Sequence, residues 1–169
     1  MLPEGKTMYI EKLEEPGNTS MSSSHMHDYY EIYYLSSGKR RYFINHTLYD
    51  MDCGDVVFVN AGDIHKTQSV NNGDIYERYL ITFSHEFVKK VSPIIPEDQL
   101  LKCFEAKKSH IAAPNIHNFN SLLRKLENEC RYNDDYNTQL CTIHLMELLV
   151  NLNKNALQKN IRITDDLTE

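Results

Sequence analysis

The sequence predicts a mainly β fold, a sandwich or barrel of short antiparallel strands, followed by an α-helical region. Three observations predict it. Segments rich in Tyr, Ile, Val and Phe occupy 29–35, 40–45, 55–59 and 75–83, and these residue types suit a pleated, half-buried surface. Turn-forming runs separate them: Ser36-Ser37-Gly38-Lys39, Asn45-His46-Thr47, Ala61-Gly62-Asp63 and Asn71-Asn72-Gly73-Asp74, where Asn and Gly accept positive φ. Past Ser84 the apolar residues recur every three or four positions, the spacing of one helix face. Closing the strands on themselves removes exposed edges and leaves an interior for side chains or one small ligand.

The chain has 169 residues, of which 41% are hydrophobic and 25% charged, enough for one well-cored domain with an appended helical part. Its formal net charge is −6. Duplex binding needs clustered Lys and Arg, so a DNA-contacting surface within this chain is not expected. The four cysteines, Cys53, Cys103, Cys130 and Cys141, form no CxxC pair, and the N-terminus has no apolar signal core. A reducing cytoplasm is the expected setting. No apolar run reaches membrane-spanning length.

Taken in order, residues 1–24 read as an N-terminal arm: Met8-Tyr9-Ile10 forms a short first strand and Gly17 to Ser24 a polar loop. Residues 25–92 form the β core. Within it Lys39-Arg40-Arg41 follows the Ser-Ser-Gly turn and reads as a solvated hairpin tip rather than a nucleic-acid patch. Ser84 caps a short helix that Ser92-Pro93 ends, and Pro96 opens another, carrying Leu100, Leu101, Cys103 and Phe104. After a loop around Ala113-Pro114, residues 115–132 place Phe119, Leu122, Leu123, Leu126 and Cys130 on one face.

The helix expected over 137–158 aligns Cys141, Leu145, Leu148, Leu149, Leu152 and Ala156, and Ile143, Met146 and Val150 widen its apolar surface. So broad a surface suggests a homodimer. Its interface is expected at Leu126, Cys141, Leu145, Leu148, Leu149 and Leu152, with helices packed across a two-fold axis. The alternative is that the stripe covers its own barrel and the preceding helix. Residues 93–158 are thus a helical dimerisation region, and 159–169 a linker or the start of a further helix.

The chemistry concentrates in His25, His27 and Glu31, answered by His65. Alternate residues of a strand share a face, so His25 and His27 point one way, and Glu31 and Tyr33 share their parity. Imidazole plus carboxylate suits a divalent metal. The same set also suits a hydrogen-bonding lining for an organic ligand, or a polar patch at a barrel mouth. Tyr29, Tyr30, Tyr33, Tyr34, Tyr42 and Tyr49 are core residues or an aromatic wall, and Tyr33 is the one whose parity points it at the set. No Gly-rich phosphate loop or activated Ser or Cys nucleophile stands in the sequence.

The string HxHxxxExxxxxxG from His25 to Gly38, then GxxxxxNxGxxH from Gly54 to His65, resembles the two cupin motifs. More narrowly, residues 20–90 resemble the N-terminal sensor domain of AraC-type transcriptional regulators. Asn60 stands where the second motif has Pro, and Ser69 near where it ends in Asn. The resemblance implies a cupin-like antiparallel β-barrel (a double-stranded β-helix) with a C-terminal helical dimerisation element. It implies a non-enzymatic role: binding a small-molecule effector, a sugar or other small organic, and controlling a helix-turn-helix DNA-binding domain beyond these residues. The ligand set expected is His25, His27, Glu31, Tyr33 and His65. No cofactor is expected, although a divalent metal on His25, His27, Glu31 and His65 is possible. The runner-up is a small metal-dependent cupin enzyme of isomerase or dioxygenase type.

Overall fold

A computed structural model describes residues 1–16, 20–70, 75–105, 110–112 and 116–165. The turn expected at Asn71–Asp74 and the Ala113-Pro114 loop lie outside them. Among the described residues, eight strands form two sheets. The larger has five strands in the order β1 (Met8–Pro16), β7 (Ile75–Phe83), β2 (Tyr30–Ser37), β5 (Asp55–Val59) and β8 (His110–Ala112). The smaller orders β4 (Thr47–Met51), β3 (Arg40–Ile44) and β6 (His65–Ser69). All strand pairs are antiparallel. Five helices follow β7: α1 (His85–Val91), α2 (Glu97–Leu100), α3 (Lys102–Glu105), α4 (Ile116–Glu129) and α5 (Asp135–Asp165).

The larger sheet separates two cores. On β2 the register Glu31↔Val59 and Tyr33↔Val57 sends one parity into the barrel, where Tyr33, Leu35, Tyr42, Ile44, Met51, Val57, Val59 and Tyr76 pack together. The other parity, Ile32 and Tyr34 with Val56, Phe58, Ile81 and Phe83, packs outward under the helices. A strand covered on both faces reads as a continuous apolar run, not an alternating one. That is why 29–35 and 55–59 are plain in the sequence. β4 and β6 are hidden in it: β4 is an exposed edge strand, and β6 points His65 and Thr67 inward, so neither shows a hydrophobic signature.

The first strand extends from Met8 to Pro16, pairing along its whole length with β7. It is an integral barrel strand rather than part of an arm. The expected polar loop is also partly tied down. Met21 N–H donates to Thr67 O (3.1 Å), Ser69 N–H to Ser20 Oγ (2.9 Å), and His25 exchanges two backbone hydrogen bonds with His65.

Ser84 caps α1 as expected, its Oγ accepting from Phe87 N–H, and Ser92 closes that helix. The helix expected after Pro96 is two short pieces, α2 and α3, and α5 continues through Asp165, past the boundary expected at 158. Cys141, Leu145, Leu148, Leu149 and Leu152 of α5, and Leu126 of α4, are each at most 5% exposed and belong to the core between the helices and the sheet. The expected dimer stripe is therefore consumed within the chain. A groove under α4, α2 and α3 takes it up, a packing that helix periodicity alone does not reveal. Among the described residues, the large apolar side chains α5 leaves exposed are Tyr136, Leu140, Ile143 and Val150, the last two beside Ile94.

The β2–β3 turn rests on Gly38, whose φ is +85°; a Cβ there would stand 2.8 Å from Ile75 O and 2.9 Å from Tyr76 Cβ. Gly38→Ala is expected to lower unfolding free energy by about 2 kcal/mol in urea denaturation, from positive φ and backbone collision together.

Candidate functional site

The cavity of about 620 Å³ at the barrel mouth is lined by His25, His27, Glu31, Tyr33, Arg40, Tyr42, Thr67, Tyr76 and Arg78, and by residues of the 20–29 segment. Every residue proposed from the sequence stands there or against it. His25, His27 and Tyr33 line it directly, as does Glu31, and His65 is packed against His25 and His27, with ring centroids 4.2 and 4.8 Å away.

The imidazole end is built by backbone carbonyls. His27 Nδ1 is 2.9 Å from Tyr29 O and His65 Nδ1 is 2.9 Å from Asp63 O. A carbonyl only accepts, so each Nδ1 carries the proton and each Nε2 is left to face the site. The His27 ring also stacks on Tyr29 at 3.8 Å. His65 Nε2 is buried with no hydrogen-bond partner among the described residues. His27 Nε2 lies 3.3 Å and His65 Nε2 4.0 Å from Glu31 Oε2. Two lone pairs aimed at a carboxylate repel, so a proton or a cation must lie between. One ligand atom from each of His25, His27 and His65 lies within 4.8 Å of the others. That donor set, with its Nδ1–H groups held by carbonyls, fits a divalent metal. Burial and the neighbouring His65 lower the pKa of His25, which favours its neutral, ligating form.

Glu31 is buried, and burial raises its pKa; the His27 contact, the nearby His65 and the Tyr42 hydrogen bond outweigh this and lower it overall. Tyr42 Oη donates to Glu31 Oε1 at 2.7 Å, and burial followed by the facing carboxylate keeps that phenol protonated.

The opposite end is a donor end, and sequence reasoning missed most of it. Arg40 is no hairpin-tip residue: it is 1% exposed, its Nε donates to Thr67 Oγ1 at 3.0 Å, and its guanidinium lies 4.2 Å from the Tyr76 ring centroid. Its neighbours take the solvent positions, Lys39 pairing with Asp52 and Arg41 with Asp50. The signal was present. β3 alternates, so Arg40, Tyr42 and Ile44 share the inward parity while Arg41 and Phe43 do not. Arg78 of β7 lies 5.8 Å over the Tyr33 ring and donates through Nη2 to Glu11 Oε2 at 3.3 Å. Its Nη1 and the Tyr33 hydroxyl are buried without partners among the described residues. Burial keeps the Tyr33 hydroxyl protonated and hence a donor. Buried donors without acceptors are costly, and a ligand supplying acceptors relieves that cost.

Because the Glu31 pKa is lowered by folding, its contribution to stability is present above the ordinary carboxylate value near 4.5 and disappears as pH falls through the lower folded value. Thermal melts are expected to show a steeper acid loss for the native chain than for Glu31→Gln, the two curves converging at low pH; parallel curves would contradict the depressed pKa.

Among known proteins, the family model described as the AraC-like ligand binding domain matches residues 9–149. Curated protein sequences give no match. An apo ToxT variant from Vibrio cholerae strain SCE256 is similar at 12% identity and TM-score 0.62, over 89% of this chain and 57% of that one. ToxT from Vibrio cholerae bound to (E)-4-(8-methylnaphthalen-1-yl)but-3-enoic acid matches at 14% identity and TM-score 0.56, over 83% and 54%. The chain thus spans a little over half the length of that protein. An RmlC-like cupin family protein with a double-stranded β-helix fold, from Methanocaldococcus jannaschii, matches at 20% identity and TM-score 0.42, over 50% and 75%.

Proposed function

The chain belongs to the family of AraC-like ligand-binding domains, and on that premise we propose that it is the effector-sensing half of a transcriptional regulator whose ligand is a small organic acid. Its cupin-type barrel and regulator-like neighbours favour ligand sensing over catalysis. The observation that carries the ligand class is the donor end of the cavity, where Tyr33 Oη and Arg78 Nη1 are buried without acceptors among the described residues and Arg40 adds a fully buried guanidinium. A carboxylate is the acceptor that satisfies both at once, and guanidinium is the side chain best shaped to hold it. The acid bound to ToxT agrees with this class. The carboxylates already nearby are engaged: Glu31 accepts from Tyr42, and Glu15 from Tyr76.

Ligand occupancy shifts a regulator only through tighter binding to one of its arrangements. The 20–27 segment, paired to β6 and lining the cavity, and α5, which meets the larger sheet through α2, α3 and α4, are the elements such a shift would engage. A DNA-binding domain joined beyond this segment would receive it. α5 also offers a dimer surface, different from the one read in the sequence: Leu140, Ile143 and Val150 are exposed at helical spacing, and a groove of about 530 Å³ joins Ile143, Met146 and Val150 to Ile94 and Ile95. A second copy laying its own α5 there would cover this apolar patch.

A second reading, a metal-assisted sensor, is favoured by the Nε2 atoms of His27 and His65 turned toward Glu31. His25, His27 and His65 with Glu31 would hold the ion, and a bound divalent cation would supply a Lewis-acidic anchor for a ligand oxygen. This chain's own part is to fix the imidazole tautomers through Tyr29 O and Asp63 O.

Thermal-shift titration with phenylacetate and its neutral amide tests the ligand class. The acid is expected to raise the midpoint saturably and the amide not, with Arg78→Gln weakening the acid about tenfold to a hundredfold and Tyr33→Phe about fivefold. Equal stabilisation by the amide would remove the acid from the reading while leaving the sensor. Ile143→Asp with Val150→Asp is expected to give a folded monomer by light scattering where the native chain is a dimer; a native monomer would remove the dimer surface.

A further inference from the structure

Away from the barrel, two thiols meet. Cys130 follows the last turn of α4 and Cys141 lies on α5, and their Sγ atoms are 2.7 Å apart, both cysteines being free. The turn between the helices holds the pair in place: Asp134 caps α5 through Asn137 N–H at 2.9 Å, and Cys130 N–H donates to Leu126 O at 3.0 Å. The two sulfurs stand about 0.7 Å farther apart than in a formed disulfide.

A cleft of about 410 Å³, lined by Cys130, Cys141, Lys6, Tyr9 and Thr138 among others, opens beside the pair. Within the pair Cys130 is partly exposed and Cys141 buried, both lining the cleft; of the other two cysteines Cys53 is exposed and Cys103 buried, and neither lines it. Two charged groups act on the pair. Lys6, from the segment before β1, favours a thiolate and Glu129 disfavours it. The hydrogen bond from Cys130 lowers the Cys141 pKa despite burial, while the same contact raises that of Cys130. Either sulfur can donate in this contact, and the lowered pKa of Cys141 favours it as the thiolate that attacks first. A structural cysteine pair in a reducing compartment stays reduced unless an oxidant reaches it, so accessibility of a thiolate with a resolving partner marks a regulatory disulfide.

We propose that Cys130 and Cys141 form a reversible intramolecular disulfide when a peroxide enters this cleft. The Cys141 thiolate attacks one peroxide oxygen; the O–O bond breaks and the departing hydroxide takes a proton to leave as water. Cys141 is now a sulfenic acid. The Cys130 sulfur attacks it, the S–O bond breaks, and the leaving hydroxide takes up the Cys130 proton as a second water. The two sulfurs together lose two electrons and the peroxide gains them. A dithiol reductant reverses the step by exchange through a mixed disulfide. The product covalently ties the end of α4 to α5, the helix that packs across α2, α3 and α4 and bears the exposed apolar face. It sets the rigidity of that helix pair by redox state, independently of any ligand in the cavity.

Hydrogen peroxide treatment of the native chain, followed by alkylation and tryptic mapping, tests this; cleavage after Arg131 puts the two cysteines on separate peptides. The expected result is one linked pair of peptides carrying Cys130 and Cys141, no covalent dimer, reversal by dithiothreitol, and a thermal midpoint higher by about 5 °C. A Cys53→Ser, Cys103→Ser variant is expected to form the same disulfide, and the reaction is expected to be slower in urea, where the native approach is lost. In Cys130→Ser, dimedone is expected to trap a sulfenic acid at Cys141. Oxidation of Cys53 with Cys130 and Cys141 still open to alkylation, or equal rates in urea and in buffer, would overturn the proposal.

Discussion

The structure depends on one constraint: the central strands β2, β5 and β7 are buried on both faces. Their inward parity must close a barrel and their outward parity must dock a layer of helices. At β2 the two demands alternate residue by residue, with Glu31, Tyr33 and Leu35 serving the barrel and Ile32 and Tyr34 the helices. A slip of one residue would exchange them and bury Glu31 against Phe58 and Phe104, away from Tyr42 and His27. The register is therefore strongly specified, and the polar site inherits its precision from apolar packing on the far side of the same strand. The aromatic contacts there show how tight that packing is: Phe104 meets Tyr30, Phe58 and Phe83 at 5.2–5.7 Å between ring centroids.

From that constraint the cavity acquires two chemically distinct ends. The imidazole end presents the Nε2 atoms of His27 and His65, their rings fixed by carbonyl acceptors behind them; the donor end is a set of N–H and O–H groups fixed by stacking on aromatic rings. Tyr42 and Glu31 lie between. A ligand entering such a site is oriented by charge and hydrogen bonding rather than by shape alone, since each end rejects the group the other accepts. Burial sharpens the discrimination, because an unsatisfied partner at either end has little water to turn to.

Much of this was legible in the sequence, and the reasons for the rest are physical. The His25, His27, Glu31 and His65 set was visible because motif spacing needs no tertiary information; the strand parity expected for it does not hold, since His25 and His27 stand in an irregular segment before β2. Arg40 was misread because a Lys-Arg-Arg run after a Gly turn looks solvated unless the alternation of β3 is followed through Tyr42 and Ile44. Arg78 gave no signal, being one charge in a strand whose partner, Glu11, lies on a strand the sequence showed only in part. The stripe of α5 was correctly seen as apolar but assigned to a partner. What it covers is a groove created by α2, α3 and α4, whose existence no single-helix pattern conveys. No helix of the described residues is long and apolar enough to cross a membrane, which agrees with the composition.

The central claim is that occupancy of the barrel reaches the helices through the sheet they share. Amide hydrogen exchange with and without saturating phenylacetate tests it most directly. The account predicts slower exchange on β2 and β7 at the donor end, and also on α5, which lines no part of the cavity and packs on α2, α3 and α4. Protection confined to strands, with α5 unchanged, would contradict it.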